Sequence, residues 1–148
     1  MSDLRDLYQE VIFDHYRSPR NCRVLAGATD QAEGYNPLCG DKITVYLRIE
    51  DGVIREASFR VVGCAISTAS ASLMTEALKG RRIDDVEAAF AAFHNMVTGA
   101  SAGPQPQLGK LEALAGVREF PSRVKCATLA WHTLLAALKR EREPVSTE

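Results

Sequence analysis

The residues of this 148-residue chain that could do chemistry are its thiols and one carboxylate placed beside them. Asn36-Pro37-Leu38-Cys39-Gly40-Asp41 sets a thiol and a carboxylate two residues apart, and the intervening Gly40 lets the backbone turn both side chains toward one point. Cys64 and Cys126 lie far downstream, and Cys22 completes the set of four cysteines. Three thiolates with a carboxylate suit a four-coordinate site for zinc, or an iron–sulfur cluster. There is no C-x-x-C pair, and gaps of this length fit unrelated proteins too. Spacing alone therefore leaves metal ligation, reactivity and inert burial all open.

These residues need elements to bring them together. Leu4, Leu7, Tyr8, Val11, Ile12 and Tyr16 recur at helical spacing, so residues 3 to about 17 read as an amphipathic helix capped by Ser2 or Asp3 and ended by Ser18-Pro19. His15 falls on its apolar face and reads as a core histidine. A short strand is expected at Ala28–Ala32. Ile43, Val45, Leu47 and Ile49 then alternate with polar residues, Asp51-Gly52 makes a tight turn, and Val53–Val62 returns as a strand. Helical spacing follows from Ile66 to Leu78, stopped by Gly80, with a face of small residues. Asp84 and Glu87 have the spacing of a capping box for the next helix, beside which His94 reads as ordinary packing. Gly99–Gly109 is a loop by composition, Leu108 to Val117 a short helix, and Ser122 the expected N-cap of a long last helix with Trp131 in its core.

On this map Cys39 sits in a turn, Cys64 where a strand passes into a helix, and Cys126 about four residues after a helix cap. Helix N-termini favour thiolate over thiol, so two of these three cysteines stand where deprotonation is favoured. His132 is six residues beyond Cys126, about 240° around the helix, so the two do not form a cysteine–histidine pair on one face. The chain carries no Gly-x-Ser-x-Gly, Walker loop, dinucleotide fingerprint or His-Glu-x-x-His.

Composition narrows the class. An apolar fraction of 46%, a charged fraction of 25% and a net charge of -1 describe a globular domain with no basic field for nucleic acid or an anionic membrane. The longest apolar run, Ala88–Phe93, is too short to span a bilayer, and the acidic N-terminus is unlike a signal peptide. One domain over residues 1–148, cytoplasmic, with a frayed tail after about 141, is the expectation.

Four ordered motifs carry a resemblance. Asp14-His15-Tyr16 with Pro19-Arg20-Asn21, Asn36 to Asp41, Gly63-Cys64-Ala65-Ile66-Ser67, and Arg123-Val124-Lys125-Cys126-Ala127-Thr128-Leu129-Ala130-Trp131 resemble the U-type iron–sulfur assembly proteins, which include IscU and the N-terminal domain of NifU. The resemblance is greatest to the SufU branch. IscU-type scaffolds carry a histidine directly before the third cysteine, within a Leu-Pro-Pro-Val-Lys segment; here Lys125 stands there, after Phe120-Pro121-Ser122-Arg123-Val124.

The resemblance implies an α+β fold, with an N-terminal helix, a three-stranded antiparallel sheet and helices packed on one face. It implies a zinc site of Cys39, Asp41, Cys64 and Cys126, with Cys22 structural or incidental. It also implies docking on a SufS-type cysteine desulfurase, a histidine of which takes one zinc position and frees Cys39 to accept persulfide sulfur. Arg123 and Lys125 become candidate contacts for the persulfide or the desulfurase. Downstream scaffold or acceptor proteins would follow. One alternative is an IscU-type scaffold carrying iron as a [2Fe-2S] cluster on the same residues. Another is a non-catalytic module that zinc merely stabilises.

Overall fold

The computed structural model describes residues 3–37, 40–99, 106–139 and 145–146. The order is α1 (Asp3–Arg17), β1 (Asp30–Asn36), β2 (Asp41–Glu50), β3 (Val53–Val62), α2 (Ala65–Leu78), α3 (Ile83–Thr98), a 3₁₀ segment (Pro106–Glu119), α4 (Pro121–Leu138) and β4 (Val145–Ser146). This is the expected α+β class. β1, β2 and β3 form the antiparallel sheet in the order β3-β2-β1, and β4 adds to β1 in parallel, with Val145 opposite Gly34. Those two residues of the tail are thus paired, whereas fraying was expected there.

Local chemistry explains the strands. Asp51 and Gly52 both have positive φ, 54° and 73°, the pair of left-handed residues that matches a tight turn to the twist of its strands. Asp41, Ile43, Val45 and Leu47 face inward along β2. Arg48 pairs with Glu56 but Ile49 pairs with Ile54, so Arg55 is an extra residue, and the inward set of β3 changes phase from Ile54 to Ala57 and Phe59.

β1 runs further than the expected Ala28–Ala32. Its inward residues are Asp30, Ala32, Gly34 and Asn36, an alternation of polar and small side chains that hydrophobicity does not register. Gly34 has a steric reason, because a Cβ there would collide with Thr133 Oγ1 on α4.

α2 and α4 lie against the buried face of the sheet, and α1, the 3₁₀ segment and α3 pack around them. α2 is buried all round, from Ile66 to Thr75, and its small residues let neighbours approach on each side. Its buried hydroxyls find partners: Ser70 donates to the Ala127 carbonyl, Thr75 to that of Ala71, and Ser72 Oγ lies 2.7 Å from His15 Nδ1. His15, 1% exposed, is the core histidine expected. Burial, aided by the Arg20 charge, holds its pKa below the usual histidine value, against the opposing pull of Glu76 and Asp14.

The helix starts differ in detail. α3 begins at Ile83 after Arg82, and no Asp84–Glu87 capping box forms; the Ile83 N–H is taken by the Gly52 carbonyl of the hairpin turn at 2.9 Å. α4 begins at Pro121, with Phe120 rather than Ser122 at the N-cap, since proline suits the first helical position. The short helix expected over 108–117 is a longer 3₁₀ stretch broken at Gly109 (φ 57°, ψ -127°). Trp131 is fully buried and stacks on Phe93, ring centroids 5.0 Å apart, which anchors α4 to α3.

Candidate metal centre

The end of the sheet where β1 hands over to β2 and β3 hands over to α2 gathers the chemistry. Asp41 is the first residue of β2 and is 1% exposed. The Cys64 N–H donates to its Oδ1 at 2.8 Å, and the Ser67 hydroxyl donates to its Oδ2 at 2.8 Å. Gly63 makes room for this carboxylate, because a Cβ there would collide with Asp41 Oδ1. Cys64 is the N-cap of α2, and its Sγ accepts the Ser67 N–H at 3.4 Å. Cys126 comes from α4 and is 3% exposed, with Asn36 Nδ2 lying 3.5 Å from its Sγ. One ligand atom each from Asp41, Cys64 and Cys126 lies within 4.8 Å of the others, a group able to hold a metal ion.

The electrostatics fit a cation. The hydrogen bond from Cys126, with help from the Ser67 hydroxyl and N–H, pulls the Cys64 pKa from 9.0 down to about 6, although burial and the Asp41 charge both raise it. Cys64 Sγ also lies 3.8 Å from Oδ2 of the buried Asp41. A thiolate and a carboxylate this close in a partly dry setting would repel each other, and a cation between them would relieve that. Thiolate sulfur with carboxylate oxygen is also the donor mixture that four-coordinate divalent metals accept.

A groove of about 700 Å³ runs between α1 and the starts of α2 and α4, with Ile12, Phe13 and Ile66 along it and Cys64 and Cys126 in its wall. Arg123 lines the groove, exposed, its guanidinium 4.4 Å from the Phe120 ring centroid. Lys125 is half-buried on α4, one residue before Cys126.

The expected site residues thus divide. Asp41, Cys64 and Cys126 come together from three separate elements. Cys39 lies outside the described residues, two positions before Asp41 and beside Gly40, whose φ is 73°. Cys22 is elsewhere, in an isolated bridge to Phe59. Cys64 occupies the helix terminus expected of it. Cys126 does not: because α4 starts at Pro121, this cysteine is already in the second turn, where the terminal dipole has faded. Its neighbours are Cys64 and Asn36 instead. Asn36, Ser67 and Gly63 were not singled out as site residues by type, because each acts on a ligand and not as one; only their adjacency to Cys39 and Cys64 in sequence hinted at them.

Fold and site together define a small α+β domain with a thiol–carboxylate group able to hold a metal ion at one end of its sheet. The chain belongs to the family of the NifU-like N-terminal domain, which it matches over residues 7–140. It is 40% identical over 140 residues to the zinc-dependent sulfurtransferase SufU of Bacillus subtilis (strain 168), covering 95% of each chain. It is equally identical, again over 140 residues, to the iron–sulfur cluster assembly scaffold protein IscU of Streptococcus pyogenes serotype M1, covering 95% of this chain and 87% of that one. Among solved structures, the N-terminal part of a nitrogen-fixing NifU-like protein from Brucella abortus superposes with a TM-score of 0.83 at 25% identity, over 94% of this chain and 96% of that one. The family resemblance carried by the four motifs is borne out. Among the described residues, no helix is long and apolar enough to cross a membrane.

Proposed function

We propose that this chain serves iron–sulfur cluster assembly as a zinc-dependent sulfur acceptor, taking persulfide sulfur from a SufS-type cysteine desulfurase onto Cys39. The observation that carries the reading is the convergence of Asp41, Cys64 and Cys126 within 4.8 Å, from three parts of the fold, with Cys39 two positions before Asp41 in the sequence. Cys39, Asp41, Cys64 and Cys126 would hold the zinc. When bound, zinc keeps thiolates deprotonated without redox chemistry of its own and tolerates ligand exchange. The chain's residues divide the remaining work. Asp41 is fixed by Ser67 and the Cys64 N–H, and Cys39 lies between Pro37 and Gly40 in the sequence.

Sulfur transfer is an exchange. The Cys39 thiolate attacks the terminal sulfur of the donor's persulfide, the donor S–S bond breaks, and the donor cysteine leaves as thiolate while a new S–S bond forms on Cys39. No net oxidation occurs. Arg123 places a cation beside the groove, where an incoming anionic persulfide gains from it.

The reading is tested by following alanine release from a SufS-type desulfurase supplied with cysteine. The zinc-loaded chain, at about one zinc per chain, speeds turnover, and Cys39→Ala abolishes the effect. Stimulation that survives Cys39→Ala overturns the acceptor assignment. The equal identity to an IscU-named scaffold supports a second reading, in which a [2Fe-2S] cluster is built on the same four residues and passed on. That reading requires a coloured cluster on anaerobic reconstitution that transfers to an apo-acceptor. Lys125 in place of a histidine favours the zinc reading.

A further inference from the structure

We infer that Asn36 is a positioning residue of this centre: its buried side-chain amide donates an N–H to the Cys126 sulfur and so holds Cys126 as a fixed ligand. The inference rests on the metal-site reading above and deepens it.

Asn36 is the last residue of β1 and is 0% exposed. Its backbone is set opposite Asp41 in the β1–β2 ladder, so the amide and the carboxylate ligand share one rigid frame. Its Nδ2 lies 3.5 Å from Cys126 Sγ, ninety positions away in sequence. An asparagine before a proline ordinarily serves a turn, with its side-chain oxygen accepting a nearby backbone N–H. Among the described residues, the buried Oδ1 of Asn36 has no hydrogen-bond partner. Burying an amide with one end unpaired is unfavourable, and an apolar side chain of the same shape would avoid it. What the amide supplies at this position is the N–H toward sulfur.

That N–H completes a pattern. Cys64 already receives one from the Ser67 backbone at 3.4 Å, and Asn36 gives Cys126 its equivalent from a side chain. A thiolate that accepts an N–H has part of its charge drawn away, which orients it and lowers its nucleophilicity. Both thiols on helices are thereby made anchors. Persulfide sulfur then has less reason to land on Cys126, which lies in the same groove.

The test loads full-length wild type, Asn36→Leu and Asn36→Ala with Co²⁺ and, separately, Zn²⁺. Leucine keeps the volume without the N–H. Alanine guards against a variant that fails only through poor packing, and circular dichroism confirms folding. In both variants the sulfur-to-cobalt charge-transfer band moves to lower energy, because the thiolate has lost a donor. Zinc affinity by chelator competition falls about 10–100-fold. In the zinc-loaded variants, iodoacetamide labelling of Cys126 rises relative to Cys64 by peptide mass spectrometry. Folded variants with the wild-type band, affinity and labelling ratio overturn the inference and leave the metal site standing. A wild type that shows no thiolate–cobalt band overturns both.

Discussion

At the scale of residues, the proposed site is a set of candidate ligands held by neighbours that are not ligands. Ser67 is the busiest of these, since its N–H meets Cys64 and its hydroxyl meets Asp41. Ser67→Ala removes a hydrogen bond to a buried carboxylate, which costs about 1.5–3 kcal/mol of stability in the metal-free protein by urea denaturation. The same change weakens zinc binding, about 10–100-fold by chelator competition. Cys64 offers a second check. Its pKa is pulled down to about 6, so in the metal-free protein its alkylation rate rises through a midpoint near pH 6 and not near 9, and Ser67→Ala moves that midpoint upward. The candidate ligands were legible in the sequence because thiols and an aspartate beside a glycine carry their chemistry in their type. Asn36, Ser67 and Gly63 were not, because an amide, a hydroxyl or a missing Cβ means nothing until the fold shows what it faces.

At the scale of elements, legibility followed hydrophobicity. The β2–β3 hairpin was readable because apolar residues alternate on both sides of Asp51-Gly52. Gly52→Ala places an L side chain at φ 73° and costs about 1–2 kcal/mol in thermal or urea unfolding, with the hairpin register retained. β1 was misplaced because its inward side chains are an aspartate, an alanine, a glycine and an asparagine, chosen for the nearness of α4 and Cys126 and not for apolarity. The capping box at Asp84 failed for a tertiary reason. The hairpin turn reaches α3 first, and its Gly52 carbonyl satisfies the N–H of Ile83. Cys126 entered the second turn of α4 because Pro121 could start the helix one residue before Ser122.

At the scale of the whole molecule, α2 ties the site to the rest. Its first turn holds Cys64 and Ser67, and further along Ser72 holds His15 of α1. His15 is neutral where it is buried, with a pKa below the usual value, while in the unfolded chain it titrates near about 6.5. Below that pH the unfolded state binds the extra proton, so stability is present above about pH 6.5 and is lost as pH falls toward the folded value, at no more than about 1.4 kcal/mol per pH unit. His15→Asn, which can still reach Ser72 but does not titrate, flattens this part of the stability profile measured by urea denaturation.

On the proposed function, Asp41, Cys64 and Cys126 anchor the zinc and Cys39 alone takes the sulfur. The most direct measurement is peptide mass spectrometry of the zinc-loaded chain after incubation with a SufS-type desulfurase and cysteine, with persulfides trapped by alkylation. One added sulfur on the peptide bearing Cys39, with Cys64 and Cys126 unmodified, is the result predicted. Sulfur on Cys64 or Cys126 in preference to Cys39, or none on any of the three, contradicts it.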